Sequence, residues 1–227
     1  MILAVGDIHS EFKHLNSLIS EKQPSIILQV GDFGYWPKDK KSQKIKNKDT
    51  IIYFCDGNHE DHESLKNLEN NEIQQNIFYM RRGSTLTLPD GRTVLFMGGA
   101  FSHDWRYKEF GSDEWKYREP GIDWFPFMEL ITQDDINKIP NIKIDIVISH
   151  TAPEEFFMPP RDGGLKVKDP SRECLSQILK KYKPKEWYFG HYHYFKYGFD
   201  YGCKWTALSY SRSNSRWWVG LDLCRVE

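Results

Sequence analysis

Short apolar runs alternate with amphipathic stretches along the chain. Three such runs, MILAVGD, SIILQVGD and IIYFCDGN, are rich in branched and aromatic residues, and each ends on a glycine next to an acidic or amide residue, which is typical of a β-strand that closes in a loop. Residues 11–20 carry apolar side chains at helical spacing, and residues 60–69 do so more weakly. The pattern therefore predicts a repeating unit of strand, polar loop and helix.

The second half of the chain predicts the remaining layers. Two alternating runs flank the turn at 89–91, which predicts a β-hairpin. Helices are expected at about 132–138 and 171–182, the second with Ser171 as its N-cap, and the chain from 186 onward is mainly strand. These elements sum to an α/β sandwich in which two sheets pack face to face with helices outside.

Composition fits one domain over residues 1–227, because the chain can bury a sizeable core and no internal repeat or linker divides it. A net charge of −1 gives no overall field that would attract nucleic acid or a membrane surface. There is neither a long apolar stretch nor a charged leader, so we expect a cytoplasmic location. The cysteines at 55, 174, 203 and 224 form no C-x-x-C pair, which predicts reduced thiols and disfavours structural zinc.

Polar side chains suited to divalent metals follow the predicted strands. Asp7 and His9 lie two residues apart after the first strand, so both side chains leave the same face of its edge and can grip one ion. Asp32 follows the second strand, and its two carboxylate oxygens can bridge two cations about 3.5 to 4 Å apart. We therefore expect Asp32 to be the bridging ligand.

Further donors follow later strands. Asn58 and His150 end two other apolar runs and would serve a second ion, and the spacing of two recurs at His191 and His193 after WYFG. Carboxylate and amide oxygens with neutral imidazoles suit Mg, Mn, Fe, Zn or Ni, and no thiolate stands at these positions. The donor set therefore predicts two divalent ions and Lewis-acid hydrolysis, not redox chemistry.

These residues occur as an ordered series: GDIH at 6–9, GDFG at 31–34, GNHE at 57–60, His150, and GHYH at 190–193. The series resembles the calcineurin-like metallophosphoesterase superfamily, whose motifs run D-x-H, G-D, G-N-H-D/E, H and G-H-x-H in that order. Each motif alone is weak, whereas five in series at strand ends are specific. The resemblance implies a sandwich of two packed mixed β-sheets flanked by helices, with the metal site at the C-terminal ends of strands.

The resemblance also implies a role for each residue. One metal is assigned to Asp7, His9, Asp32 and His193. The other metal is assigned to Asp32, Asn58, His150 and His191. The catalytic residue is His59, expected near the phosphate, where it stabilises charge or protonates the leaving oxygen. The implied reaction is in-line attack on a phosphomonoester or phosphodiester by a hydroxide that bridges two divalent ions, with Mn favoured over Fe, Zn, Ni or Mg.

Departures from one branch of the superfamily narrow the substrate. Protein Ser/Thr phosphatases carry GDxxDRG and RGNHE, in which the second Asp orients the catalytic histidine and the Arg contacts phosphate. Here Tyr35 replaces that Asp and Asp56 replaces that Arg, so the protein phosphatase interpretation weakens. His59 would then be oriented by Glu60, by Asp61 or by a backbone carbonyl, and the sequence leaves these alternatives open.

Two regions bear on the substrate. The aromatic segment at 101–127 is expected to form a cap-like loop, and it contains His103 and Arg106, which with Arg161 are the substrate-binding candidates. Its tryptophans are expected to pin the loop to the body of the protein. The lysine-rich stretch at 38–48 is expected to be a solvated helix face, with phosphate contacts as the alternative.

Other basic residues are harder to assign. Arg81 and Arg82 are further candidates for contacting phosphate, and the sequence gives nothing to rank them. His14 and His62 are expected on helix surfaces.

Three functions remain in contention. The main hypothesis is a metal-dependent phosphoesterase acting on a phosphorylated small molecule or nucleotide. The alternative is a nuclease or a nucleic-acid end-processing phosphatase, which would use the lysine stretch and the aromatic segment. A non-catalytic scaffold is disfavoured, because buried polar ligands without metal destabilise a fold. No membrane partner is expected, and the sequence predicts no oligomeric state.

Overall fold

The structure is a computed structural model that describes residues 1–38, 45–46, 49–102, 125–159 and 168–221. The helices in these ranges are α1 Phe12–Lys22, α2 His62–Lys66, α3 Gln133–Asn137 and α4 Pro170–Tyr182. The strands are β1 Ile2–Val5, β2 Ile26–Gln29, β3 Ile51–Phe54, β4 Glu72–Gln74, β5 Ile77–Tyr79, β6 Thr85–Thr87, β7 Thr93–Met97, β8 Ile146–Ser149, β9 Glu186–Phe189, β10 Lys196–Asp200, β11 Cys203–Ala207 and β12 Trp218–Gly220.

The described strands form two mixed sheets of six strands each. The first sheet has the order β12-β1-β2-β3-β5-β4, and the second has the order β10-β11-β9-β8-β7-β6. In the first sheet β1, β2, β3 and β5 run parallel, and in the second sheet β7, β8, β9 and β11 run parallel. The predicted α/β sandwich is confirmed. All these parallel strands point their C-terminal ends toward the loops that carry the predicted ligands.

Three buried clusters explain why the central strands are apolar on both faces. Alternate residues of β1 point to opposite sides: Ala4 packs between the sheets against β7 and β8, whereas Leu3 packs under α1 with Leu15. On the far side of the second sheet, Trp187 packs against α4 through Leu175. The layers therefore run helix, sheet, sheet, helix. Strands in such a sandwich are buried on both faces, so they have continuous apolar sequences without alternation.

Most predicted elements are confirmed, and one predicted cap is wrong. The hairpin joins β6 to β7, and α1, α2 and α3 lie where periodicity predicted helices. Helix α4, however, is capped by Asp169, whose carboxylate accepts the backbone N–H groups of Ser171 and Arg172. Pro170 occupies the first helical position, so the cap lies one residue before it. The Ser171 hydroxyl instead accepts the Ile131 N–H, which ties α4 to the segment before α3.

His62 also differs from its predicted position. It is the first residue of α2 and is buried, with Nδ1 3.8 Å from Asp56 Oδ2 and its ring edge-on to Phe125. The short α2 turns this end toward the interior. His14, in contrast, is half-buried on α1.

Cysteine placement and hydropathy add two facts. Cys55 and Cys203 are buried free thiols and Cys174 is half-buried, as expected, whereas Cys224 lies outside the described residues. Across the described part of the chain, none of the helices is long and apolar enough to span a membrane.

Candidate metal centre

Five loops meet at one edge of the sandwich. The loops after β1, β2 and β3 come from the first sheet, and those after β8 and β9 come from the second. Because the two sheets pack face to face with these C-terminal edges side by side, side chains distant in sequence converge between them. All seven predicted ligands lie in this convergence: Asp7, His9, Asp32, Asn58, His150, His191 and His193.

Four of these side chains form a first cluster, defined as Asp7, His9, Asp32 and His193, with one ligand atom of each lying within 4.8 Å of the others. His9 Nε2 lies 3.0 Å from His193 Nε2 and 3.6 Å from Asp32 Oδ2. His193 Nε2 lies 3.2 Å from Asp7 Oδ2. The carboxylates are buried, whereas the His9 and His193 side chains keep 25% and 29% of their surface exposed. This cluster therefore opens to solvent.

The remaining side chains form a second cluster around Asp32, defined as Asp32, Asn58, His150 and His191. His150 Nε2 lies 3.3 Å from Asp32 Oδ2 and 3.1 Å from Asn58 Oδ1. His191 Nδ1 lies 3.1 Å from the same Asn58 oxygen. All four residues are buried, so this cluster is closed to solvent. Asp32 Oδ2 lies 3.6 Å from His9 Nε2 of the first cluster and 3.3 Å from His150 Nε2 of the second, so the Asp32 carboxylate contacts both clusters.

The donor geometry fits two divalent cations. Donors about 2.1 Å from one ion lie about 3.0 to 3.4 Å apart along the edges of an octahedron or tetrahedron. The nearest donor pairs in both clusters are 3.0 to 3.6 Å apart, and no thiol is among them. His150 Nδ1 contacts the Val30 carbonyl at 3.0 Å, which fixes the ring and aims Nε2 into the cluster. Asp7, His9, Asp32 and His193 could hold one ion, and Asp32, Asn58, His150 and His191 a second.

Electrostatics in the site favour cations. Burial alone would raise the pKa of Asp32, but the nearby His150, His59 and His9 hold it well below its usual range. Burial alone would lower the pKa of His150, but Asp32 and Asp7 raise it to about 9. Both shifts reflect the attraction between the buried Asp32 and Asp7 carboxylates and the neighbouring imidazoles, and His150 must lose its proton before it can bind a metal ion.

The ligand loops have unusual backbone conformations. His9, Asp32, His191 and His193 all have positive φ, at 49°, 51°, 69° and 57°. Residues with a Cβ rarely adopt this region, which is held only where the surroundings enforce it and which is concentrated at functional sites.

The glycines beside the ligands are required mostly by close approach. Gly31 has φ 100°, a conformation that residues with a Cβ rarely adopt. A Cβ on Gly57 would overlap Asp32 Oδ1, and a Cβ on Gly190 would overlap Asp7 Oδ1. Glycine at these positions therefore lets the two buried carboxylates lie directly against backbone.

His59 stands at the open side of the site. Its backbone N–H donates to Asp32 Oδ1 at 2.7 Å, and its ring lies edge-on to His9 with centroids 5.1 Å apart. It is half-buried. The imidazole is thus close to the first cluster and accessible from solvent.

Glu60 and Asp61, which the sequence left as alternatives for orienting His59, make other contacts. Asp61 caps α2 by accepting the backbone N–H and hydroxyl of Ser64. Glu60 is fully buried and accepts three backbone N–H groups, from Phe33 at 2.7 Å, Gly34 at 3.0 Å and Tyr35 at 2.6 Å. The Glu60 carboxylate therefore clamps the loop after Asp32 to the loop that carries Asn58 and His59.

Gln29 is a supporting residue that sequence reasoning missed. It is buried within β2, donates to the carbonyls of Gly6 and Gly31, and accepts the Gly31 N–H. It therefore ties the Asp7 loop to the Asp32 loop. The signal was a lone polar residue in an apolar strand, where an amide must find partners within the fold.

Asp56 and Arg82 form a buried pair behind the site. Arg82 Nη2 lies 2.5 Å from Asp56 Oδ2, and the guanidinium also donates to the carbonyls of Met128, Glu129 and Leu130. Asp56 Oδ1 accepts the Tyr79 hydroxyl. Burial alone would raise the pKa of Asp56, but Arg82 holds it below its usual value.

This network changes the interpretation of the basic residues. The Arg82 side chain is largely buried in structural contacts, and Arg81 donates to Leu68 and Asn71, so their contacts favour neither as a phosphate ligand. The substrate candidates His103, Arg106 and Arg161 lie outside the described residues, as do 103–124 of the aromatic segment. Most of the lysine stretch, 39–44 and 47–48, does so as well.

Comparison with known families agrees with this geometry. The family model described as calcineurin-like phosphoesterase matches residues 1–195. The chain belongs to the calcineurin-like phosphoesterase family. No curated protein matches the chain.

Solved structures share the fold at low identity. The phosphopantetheinyl hydrolase (PptH) of Mycobacterium tuberculosis superposes with a TM-score of 0.51 at 14% identity, over 96% of this chain and 94% of that one. GAP50, the anchor in the inner membrane complex of Plasmodium, superposes with a TM-score of 0.50 at 12% identity, over 93% of this chain and 71% of that one. At this level of identity, these structures show that the chain shares their fold, and they show nothing about its substrate.

The Glu60 clamp in this calcineurin-like phosphoesterase gives a first prediction. In Glu60→Gln the single amide oxygen cannot accept all three N–H groups, and the amide N–H₂ would face a donor. We expect the free energy of unfolding to fall by about 1–3 kcal/mol and Mn affinity to fall by about tenfold or more. Urea unfolding of the metal-free protein and calorimetric titration with Mn measure both. Glu63→Gln, on the exposed first turn of α2, is the matched control, and equal behaviour of the two variants contradicts the clamp.

The buried Asp56–Arg82 pair gives a second prediction. Arg82→Met leaves Asp56 buried without its guanidinium partner, so we expect a loss of about 3–5 kcal/mol in the free energy of unfolding. Lys138→Ala is the control, because Lys138 also pairs with Asp135 but is 61% exposed, and it should lose at most about 1 kcal/mol. Adding Asp56→Asn to Arg82→Met should recover part of the loss in denaturant melts. A loss equal to that of the control would show that the pair does not stabilise the fold.

Proposed function

We propose that this protein is a phosphoesterase that uses two divalent metal ions to hydrolyse a phosphomonoester or a phosphodiester of a small molecule or nucleotide. The observation that carries the proposal is the pair of clusters that share Asp32, built from donors 3.0 to 3.6 Å apart and drawn from both sheets. Membership of the calcineurin-like phosphoesterase family supports the class of reaction. We propose Mn as the favoured ion, because carboxylate, amide and imidazole donors suit it.

The proposed role of each side chain follows from its position in the site. When bound, the two cations supply Lewis acidity and a water of lowered pKa. Asp7 and Asp32 hold the charge that retains cations, and Asn58 and the histidines complete the donor sets. The first cluster is open to solvent, so the phosphate approaches from the side of His9 and His193. His59 lies on that side and would donate a proton to the leaving oxygen.

One experiment tests the proposal directly. Metal analysis of the purified protein is followed by a Mn-supplemented screen of phosphomonoesters, bis-p-nitrophenyl phosphate, cyclic nucleotides, phosphopeptides and oligonucleotides. We expect binding of about two ions per chain and turnover that a chelator removes and Mn restores. Salt-sensitive cleavage of oligonucleotides alone would select the nuclease alternative. Absence of metal-dependent turnover on every class would refute the proposal.

Asp32→Asn tests the bridging role. The amide keeps the size of the side chain but removes the charge and one of the two anionic donors, so both ions should bind more weakly and turnover should fall below detection. Metal content and initial rates with saturating Mn measure the two effects. Asp90→Asn in the exposed hairpin turn is the control and should match the wild type. Full metal content with normal turnover in the Asp32 variant would exclude the bridge.

His59→Ala tests the acid role. Metal content should stay near normal, whereas kcat on an alkyl phosphate should fall by about 10²–10⁴. With p-nitrophenyl phosphate, whose leaving group needs little protonation, the loss should be much smaller. His14→Ala on α1 serves as the control. An equal loss on both substrates, or a loss of metal, would assign His59 another role.

A further inference from the structure

Strand β10 is the terminal strand of the second sheet in the described part of the chain. It pairs on one side with β11 in antiparallel register, from Lys196 opposite Ala207 to Asp200 opposite Cys203. Tyr201 and Gly202 both have positive φ, which is typical of the tight two-residue turn that joins twisted strands. The hairpin is therefore well formed, and no other strand of the described residues pairs with its outer edge, so an edge of this kind can template pairing with another chain.

Aromatic side chains are exposed along this edge. Tyr197 and Phe199 are 74% and 65% exposed, and Tyr201 in the turn is 67% exposed. Phe157, which lies under the Lys196 ammonium group, is 70% exposed. Natural edge strands are commonly protected by proline, bulges or charged side chains. Lys196–Asp200 contains neither proline nor a bulge, and its two charged side chains are opposite in sign and lie at the two ends of the strand.

We propose that β10 pairs with β10 of a second copy of this chain, so that the two second sheets continue across a two-fold axis. Such an interface is isologous, because the same residues come from both copies. We choose a second copy of the chain as the partner of β10 because the sequence of the strand is complementary to itself.

The strand is self-complementary about Gly198. In an antiparallel pair centred on Gly198, Lys196 faces Asp200 of the second copy and Tyr197 faces Phe199 of the second copy. Each of these pairs occurs twice. Opposite charges and aromatic pairs directly across a sheet are favourable. Centring the pair on Tyr197 or Phe199 would lose both charge pairs, so the pattern selects one register.

Trp205 holds the two charged side chains on one face. Its Nε1–H donates to Asp200 Oδ2 at 2.7 Å, and its ring lies under the Lys196 ammonium group at 5.8 Å. The ring also occupies the space beside Gly198 where a Cβ would stand. Lys196 and Asp200 are therefore placed at the two ends of the strand before a second copy arrives, and the exposed Tyr197 and Phe199 occupy the other face.

The size of the surface predicts a weak dimer. Aromatic side chains of this exposure present roughly 100–180 Å² each, so the four named rings offer about 500 Å² per copy. Two copies that covered all of this area would bury about 1,000 Å² in total, which is the lower limit for a specific interface. The net charge of −1 per chain gives little repulsion between copies. We therefore expect dimerisation at micromolar concentration, not an obligate dimer.

A charge-swap cycle tests the register. Sedimentation velocity of the full chain should show a mass rising from the 26.9 kDa monomer toward twice that value as concentration increases. Lys196→Asp alone and Asp200→Lys alone place like charges opposite each other and should weaken dimerisation by about tenfold or more. The double variant Lys196→Asp/Asp200→Lys restores opposite charges and should return to within about threefold of the wild type.

Controls separate the interface from folding. Phe199→Arg adds charge on the face away from Trp205, so it should abolish the dimer without changing thermal stability. Ile142→Arg, at an exposed position outside β10, should leave the dimer unchanged. A wild-type chain that stays monomeric at several hundred micromolar would overturn the proposal. A dimer whose dissociation constant is unchanged by Phe199→Arg would also overturn it. So would a double charge-swap variant that has the melting curve of the wild type but does not recover dimerisation.

Discussion

The burial of two carboxylates is the physical constraint on which the rest of the site depends. Asp7 is fully buried and Asp32 is 1% exposed, between the edges of two packed sheets. Burying a charged group is strongly unfavourable unless charge and hydrogen bonds compensate it. Here the His191 N–H donates to Asp7 and the His59 N–H donates to Asp32, while imidazoles surround both. The same compensation can be given by cations, and these two residues are therefore central to the candidate metal centre.

Two further buried acidic residues hold the loop next to this site in place. Glu60 and Asp56 are also buried, but each is satisfied by fixed groups: three backbone N–H groups for Glu60, and a guanidinium and a hydroxyl for Asp56. Both lie in the loop that carries Asn58 and His59. That loop is therefore held on two sides by hydrogen bonds to buried carboxyl groups, which fix geometry more specifically than apolar packing does.

Sequence patterns predicted the parts of the fold that depend on local chemistry. The apolar runs predicted the central strands, the helical periodicity predicted α1, and the Pro-Asp-Gly turn predicted the hairpin. Residues whose role depends on distant partners were mispredicted or missed. His62 has a helix-surface pattern but faces Asp56, Ser171 resembles a cap but accepts from Ile131, and Gln29 and Glu60 support loops far away in sequence. The local pattern can show that a polar residue such as Gln29 needs a partner, but it cannot identify a partner that lies far away in the sequence.

Each of the two clusters of candidate ligands also depends on how the two sheets are packed. In the first cluster Asp7, His9 and Asp32 come from one sheet and His193 from the other; in the second, Asp32 and Asn58 face His150 and His191 across the sandwich. The separation of the sheets is set by the apolar side chains between them, such as Ala4, Val94 and Ile148. Because packed cores resist changes of even one methylene, the donor distances at the site follow from the core. A change in the packing between the sheets would therefore also change the distances between the donors of the candidate metal centre.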